Sequence, residues 1–151
     1  MDDPKNKHVL IVEDDRSLIG FLSVTISHDG FSVSLATDGE GAVRSIQSSK
    51  PDLIVLDMML PQKSGFEIIR LLQTPEHRNI PIIAVSGKLI DDGFHKMILL
   101  EPNVKEYIVK PLKPQYLLFK IHSLLGTTPP QQNLAEKKGR KFRNRISPES
   151  F

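Results

Sequence analysis

Leu53-Ile54-Val55-Leu56-Asp57 sets four apolar residues in a row, without polar alternation, and closes them with an acid. A strand with one wet face alternates, whereas a strand covered on both faces reads as a continuous apolar run. The pattern returns upstream in Val9-Leu10-Ile11-Val12 and downstream in Ile82-Ile83-Ala84-Val85. Three strands, read as His8 to Glu13, Leu53 to Asp57 and Ile82 to Ser86, therefore belong in the centre of a parallel sheet. Phe31 to Ala36 alternates instead, with Phe31, Val33 and Leu35 separated by Ser32 and Ser34, as suits a half-exposed edge strand. Glu106 to Val109 makes a fifth. Between the strands, Leu18, Leu22 and Ile26 recur with helical spacing, as do Ile68, Leu71 and Leu72. A last helix over Pro114 to Leu125 has proline in its first turn and glycine after its end, both favourable signals. Strands alternating with helices, joined by right-handed crossovers, give a doubly wound α/β layer. The pattern leaves two strand orders open, that of dinucleotide-binding folds and the flavodoxin-like order 2-1-3-4-5.

The rest of the composition agrees with one such layer. A chain of 151 residues has room for one core of ordinary size. Its longest apolar runs fall far below the roughly 18 residues of a membrane-spanning helix. The polar, acidic start Met1-Asp2-Asp3-Pro4-Lys5-Asn6-Lys7 lacks the basic flank and apolar stretch of a secretory signal, so a cytoplasmic setting with no membrane contact is expected. Cysteine is absent, which excludes disulfides, thiolate metal sites and cysteine nucleophiles together. Residues 127–151 carry six Lys+Arg against two Asp+Glu, net +4, leaving 14 against 16, net −2, for residues 1–126. The expected division is a polar leader over 1–7, a folded domain over 8–126, and a basic, disordered tail over 127–151.

In either strand order, ligands meet the carboxyl ends of the strands. Reading those ends gives Glu13, Asp14 and Asp15 after the first strand, Asp57 after the third, Ser86 and Gly87 after the fourth, and Lys110 with Pro111 after the fifth. Helix capping accounts for Asp14 or Asp15 taken alone, and a loop position accounts for Asp57 taken alone. Together they are costlier. Two carboxylates about 4 Å apart repel by roughly 4 kcal/mol at an effective dielectric of 20, so the cluster calls for a proton or a cation. All-oxygen donors select a hard ion, with Mg²⁺ the candidate. An aspartate beside such an ion can attack phosphorus and form an acyl phosphate. Lys110 would neutralise a phosphoryl oxygen, while Ser86 offers a hydroxyl and Gly87 an unshielded backbone N–H.

These residues resemble a bacterial response-regulator receiver domain, the phosphoryl-accepting half of two-component signalling, over about residues 8–126. The resemblance rests on His8-Val9-Leu10-Ile11-Val12-Glu13-Asp14-Asp15, on Asp57-Met58-Met59-Leu60-Pro61 with Gly65 eight residues after the aspartate, on Ser86-Gly87, and on Tyr107-Ile108-Val109-Lys110-Pro111. It implies the flavodoxin-like order 2-1-3-4-5, with helices on both faces. It makes Asp57 the phosphoacceptor and gives Mg²⁺ the ligands Asp14, Asp57 and the Met59 carbonyl, with Glu13 acting through water. Asp15 is left as a helix cap. Ser86 becomes the switch hydroxyl, Lys110 the phosphate partner, Tyr107 the aromatic that changes exposure as Ser86 moves, and Lys110-Pro111 a cis bond. One departure stands out: where the family often has Gly-Ala before the tyrosine, this chain has Lys105-Glu106, preceded by Pro102, which should end the fourth helix near Leu100.

The implied donor is a phosphohistidine on a sensor histidine kinase or phosphotransfer protein, and the chain is a phosphoacceptor regulator, not an enzyme with an external substrate. Its phosphorylation would shift an existing conformational pair. An output face of the fourth helix, fifth strand and fifth helix is implied too, with Phe94, Met97 and Tyr107 available to an unidentified protein partner or a phosphorylation-linked second copy. Burial in the core is the competing reading for Phe94 and its neighbours. Met59 and Lys88, two positions beyond Asp57 and Ser86, should flank the path of water to the acyl phosphate and tune dephosphorylation. The basic tail leaves nucleic acid open as a weak partner. Two alternatives remain: a small Mg²⁺-dependent aspartyl-phosphate phosphohydrolase, and a constitutive receiver-like binding module. The haloacid-dehalogenase phosphatases place an acid two positions after their nucleophile; Met59 stands there, and without that acid the proton donor is missing.

Overall fold

The computed structural model describes residues 2–87 and 92–130. Five strands, β1 (His8–Val12), β2 (Ser32–Ala36), β3 (Leu53–Asp57), β4 (Ile82–Ser86) and β5 (Val104–Val109), alternate with five helices, α1 (Arg16–His28), α2 (Gly39–Ser48), α3 (Gly65–Leu71), α4 (Asp92–Leu99) and α5 (Pro114–Leu125). All the pairings are parallel, in the order β2-β1-β3-β4-β5. This is the flavodoxin-like order.

The continuous apolar runs divide between two cores because successive strand side chains point to opposite faces. On one face Leu10, Val12, Ile54, Leu56, Ile82 and Ala84 pack with Ala42 and Ile46 of α2, Ile68 and Ile69 of α3, and Ile98 of α4. On the other, Val9, Ile11, Leu53, Val55, Ile83 and Val85 meet Ile19, Leu22 and Ile26 of α1, and Leu117 and Ile121 of α5. Asp15 caps α1 by accepting the Ser17 and Leu18 N–H groups. Helix α5 starts at Pro114 and stops at Gly126, whose φ of 64° suits a residue without Cβ.

Three details differ from the pattern read in the sequence. In α3 the buried stripe is Ile68, Ile69 and Leu72, while Leu71 is 52% exposed. On the edge strand β2, Leu35 is 48% exposed, whereas Phe31, just before the strand, is buried. Strand β5 begins at Val104, because a shift in register between Ile82 and Ile83 pairs them with Val104 and Glu106 and passes over Lys105. The chain around the expected leader and tail is packed as well. A short 3-10 turn, Pro4–Asn6, buries Pro4, and Thr127 is buried beside Asp2.

Candidate functional site

Strand order alone makes β1 and β4 the two neighbours of β3, so the residues that end these strands converge. Backbone hydrogen bonds prolong the ladders past the strand ends: Glu13 N–H donates to Ala36 O at 3.0 Å, Met58 N–H to Val85 O at 2.8 Å, and Lys110 N–H to Ser86 O at 2.7 Å. Asp57 therefore sits on a fixed base. The entry to α3 closes tightly beside it: a Cβ on Gly65 would lie 2.7 Å from Met58 Cα and 2.9 Å from the Asp57 carbonyl. No larger residue fits at that approach.

Carboxylate oxygens of Glu13, Asp14 and Asp57 all lie within 4.8 Å of one another. Glu13 and Asp57 are each 3% exposed, whereas Asp14 opens to solvent. Lys110 reaches in from the β5 end, its Nζ 2.7 Å from Glu13 Oε1 and 3.6 Å from Asp57 Oδ2. One Asp57 oxygen accepts the Met59 N–H at 2.9 Å, and Glu13 also accepts the Asp15 N–H at 3.1 Å. Burial, reinforced by the Glu13 carboxylate, pushes Asp57 up to about 7 despite the Met59 N–H and the Lys110 charge. Burial opposes ionisation of Glu13 too, but hydrogen bonds with Asp57, Lys110 and the Asp15 N–H hold it below the ordinary carboxylate range. Burial works against charge on Lys110, yet Glu13 and Asp57 leave it more basic than usual. The two buried acids thus titrate as a coupled pair, with ionisation disfavoured at Asp57 and favoured at Glu13. Among the described residues, three grouped acids have one ammonium beside them, an excess of carboxylate. Their oxygen-only donor set fits a hard divalent ion.

Around this centre, Ser86 is fully buried at the end of β4. A Cβ on Gly87 would meet only Lys110 Cδ, at an ordinary 3.7 Å, so space alone does not demand glycine there. Lys110-Pro111 is cis. Met59 is 57% exposed at the rim, and Lys88 lies outside the described residues. Tyr107 turns its hydroxyl inward, where it is buried without a hydrogen-bond partner among the described residues, and its ring lies 4.5 Å from that of His95. On α4, Met97 is exposed, whereas Phe94 is half-buried against the core and faces Phe66 of α3 at 6.3 Å. Phe94 is therefore shared between core and surface. Two contacts escaped the reading of the sequence: the preference of Lys110 for Glu13 over Asp57, and His95 against Tyr107. The first had a signal in the mere presence of an extra acid beside Asp14; the second had none.

A flavodoxin-like layer with an acidic pocket and one lysine at its strand ends defines the class of phosphoacceptor signalling domains. The chain belongs to the response regulator receiver domain family, whose profile matches residues 9–122. It is 34% identical over 120 residues to the alkaline phosphatase synthesis transcriptional regulatory protein PhoP of Bacillus subtilis, covering 80% of this chain and 49% of that protein. It is 36% identical over 131 residues to the response regulator ArlR of Staphylococcus saprophyticus, covering 87% of this chain and 57% of the relative. The chain thus spans about half the length of these relatives. Among solved structures, a CheY-like receiver domain protein from Methanospirillum hungatei matches with TM-score 0.73 and 25% identity, over 80% of this chain and 94% of that one. The receiver domain of the sensor histidine kinase PA1611 from Pseudomonas aeruginosa, solved with a magnesium ion in its active-site cleft, matches with TM-score 0.70 and 26% identity, over 80% and 98%. The chain is a two-component receiver domain, a phosphorylation-dependent signalling switch. No helix among the described residues is long and apolar enough to cross a membrane.

Proposed function

We propose that Asp57 accepts a phosphoryl group from a phosphohistidine of a sensor histidine kinase or phosphotransfer protein, in the cytoplasm. An Asp57 carboxylate oxygen bonds to phosphorus as the phosphorus–nitrogen bond to the donor imidazole breaks, and the imidazole leaves with that electron pair. The observation that carries this reading is a nucleophile-sized carboxylate, buried at the end of the central strand, within 3.6 Å of one ammonium and grouped with two further acids. Asp14, Asp57 and the Met59 carbonyl would hold Mg²⁺ directly, with Glu13 supporting it through water. The ion supplies charge neutralisation between the anionic nucleophile and the anionic phosphoryl group.

The chain's own groups supply the remainder. Lys110 exchanges Glu13 for a phosphoryl oxygen, which leaves Glu13 ionised and free to serve the cation. Ser86 and the Gly87 N–H meet the other oxygens. Tyr107 occupies the space that Ser86 gives up, and α4, β5 and α5 change the surface they show to an output partner. Met59 and Lys88 flank the approach of water and set how long the acyl phosphate lasts; a Met59→Asn change should alter the rate of phosphate loss more than the extent of its uptake. The test is incubation with a small-molecule phosphodonor with and without Mg²⁺, read by intact mass. One phosphoryl per chain, dependent on Mg²⁺ and absent from Asp57→Asn, is expected. Many turnovers of phosphate ester without stoichiometric uptake would make the chain a phosphohydrolase, and no uptake at all would make it a constitutive binding module.

A further inference from the structure

At the opposite end of the sheet, where the strands begin, Asp29, His122 and Thr127 are each more than nine-tenths buried. His122, in the last turn of α5, uses both ring nitrogens: Nε2 lies 2.6 Å from Asp29 Oδ2, and Nδ1 lies 2.7 Å from Thr127 Oγ1. Gly126 turns the chain back so that the Thr127 N–H donates to the His122 carbonyl at 3.1 Å. The Asp2 N–H then donates to the Gly126 carbonyl at 2.9 Å, which lays the start of the chain alongside Thr127. Phe31 packs on the imidazole at 4.8 Å between ring centres. Next to Asp29, Gly30 has a φ of +105°, and a Cβ there would lie 3.1 Å from Pro4 and 3.8 Å from Pro130. Both ends of the described chain are seated against the same turn.

We propose that Asp29, His122 and Thr127 form a strap that pins the chain after α5 to the end of α1, so that Thr127 and the residues up to 130 are held against the domain and do not fray from the helix end. A helix end that needed only to fray into solvent has no use for a carboxylate, an imidazole and a hydroxyl buried in series. Here each satisfies the next, and the last lies beyond the helix end. The strap also occupies one end of α5, whose 12 residues span about 18 Å at 1.5 Å per residue, and whose other end lies just after Lys110. The pinned segment is therefore joined through one helix to the neighbourhood of Lys110, the proposed phosphate partner.

The test is amide hydrogen exchange on the full chain, comparing the native sequence with Thr127→Val, which keeps the shape and removes the hydroxyl, and Thr127→Ser, which restores it. Valine should speed exchange at Asp2 and Thr127 by about tenfold or more, serine should keep it near the native rate, and Leu10 and Ile54 in the central strands should not change. Unchanged exchange at residues 2 and 127 in the valine variant would overturn the strap. So would acceleration in step with Leu10 and Ile54, since that would make the contact a part of global stability only.

Discussion

Two buried polar clusters lie at the two ends of one sheet, and they are finished differently. At the strand starts, Asp29, His122 and Thr127 answer one another, with both imidazole nitrogens engaged. At the strand ends, Glu13, Asp14 and Asp57 gather together, and Lys110 reaches two of them, Glu13 more closely than Asp57. The first cluster is complete as it stands and gains nothing from a ligand. The second gathers more acids than cations among the described residues, and burial beside Glu13 pushes Asp57 up to about 7. Burial of polar groups is thus common to both ends, while the excess of acids distinguishes the end proposed to bind and react.

The largest effect separating the two should come from His122→Ala. Removing the imidazole leaves Asp29 buried without its partner and should cost about 3–5 kcal/mol of folding stability, measured by denaturant unfolding and equal with and without Mg²⁺. A cost that Mg²⁺ reduced would tie the strap to the acidic pocket and blur the comparison. Next, Lys110→Ala should slow phosphoryl uptake roughly a hundredfold, the usual effect of losing one group that stabilises developing charge, as tracked by intact mass over time. A variant that phosphorylates at the native rate would remove Lys110 from the chemistry.

Asp57→Asn tests the excess of acids itself. Because burial and Glu13 raise the folded-state pKa of Asp57 above its unfolded value, ionisation costs folding stability progressively from about pH 4 up to about 7. The asparagine variant should be more stable than the native chain by up to about 4 kcal/mol at pH 8 without Mg²⁺ and equal to it near pH 4. Equal stability at both pH values would show that Asp57 is not held against its charge. A smaller effect is expected for the ion: below pH 7 Mg²⁺ must displace the Asp57 proton, so its affinity should fall by up to about tenfold per pH unit and level off above 7. Calorimetric titration reads this directly, and a flat affinity from pH 5.5 to 8 would contradict it. The smallest expected effect is on the solvent side of α3, where Leu71→Ser should change stability by no more than about 0.5 kcal/mol, against about 3 kcal/mol for Ile68→Ala.

That last pair shows what a sequence carries and where it stops. The runs through Leu10, Ile54 and Ile83 declared a sheet covered on both faces, because an uninterrupted apolar strand has no other comfortable place. Their strand ends then named Glu13, Asp14, Asp57 and Ser86, and the end of the fifth strand named Lys110. The 2-1-3-4-5 order came from the family resemblance, since local pattern is blind to which strand lies beside which. Leu71 was misplaced because α3 has only two turns, over which Ile68-Leu71-Leu72 and Ile68-Ile69-Leu72 are equally good stripes. His122 and Asp29 are 93 residues apart, one inside a helix and one at a helix end, and neither has a local pattern that announces the other. The choice of Glu13 over Asp57 by Lys110 is a matter of side-chain reach after the strands have paired, beyond what spacing encodes.

Borohydride reduction after treatment with a small-molecule phosphodonor and Mg²⁺ converts an aspartyl phosphate to homoserine, so peptide mass mapping locates the acceptor. Homoserine at position 57, absent when Mg²⁺ is withheld, is the predicted result. Reduction at Asp14 or elsewhere with residue 57 unchanged would contradict the account at its centre.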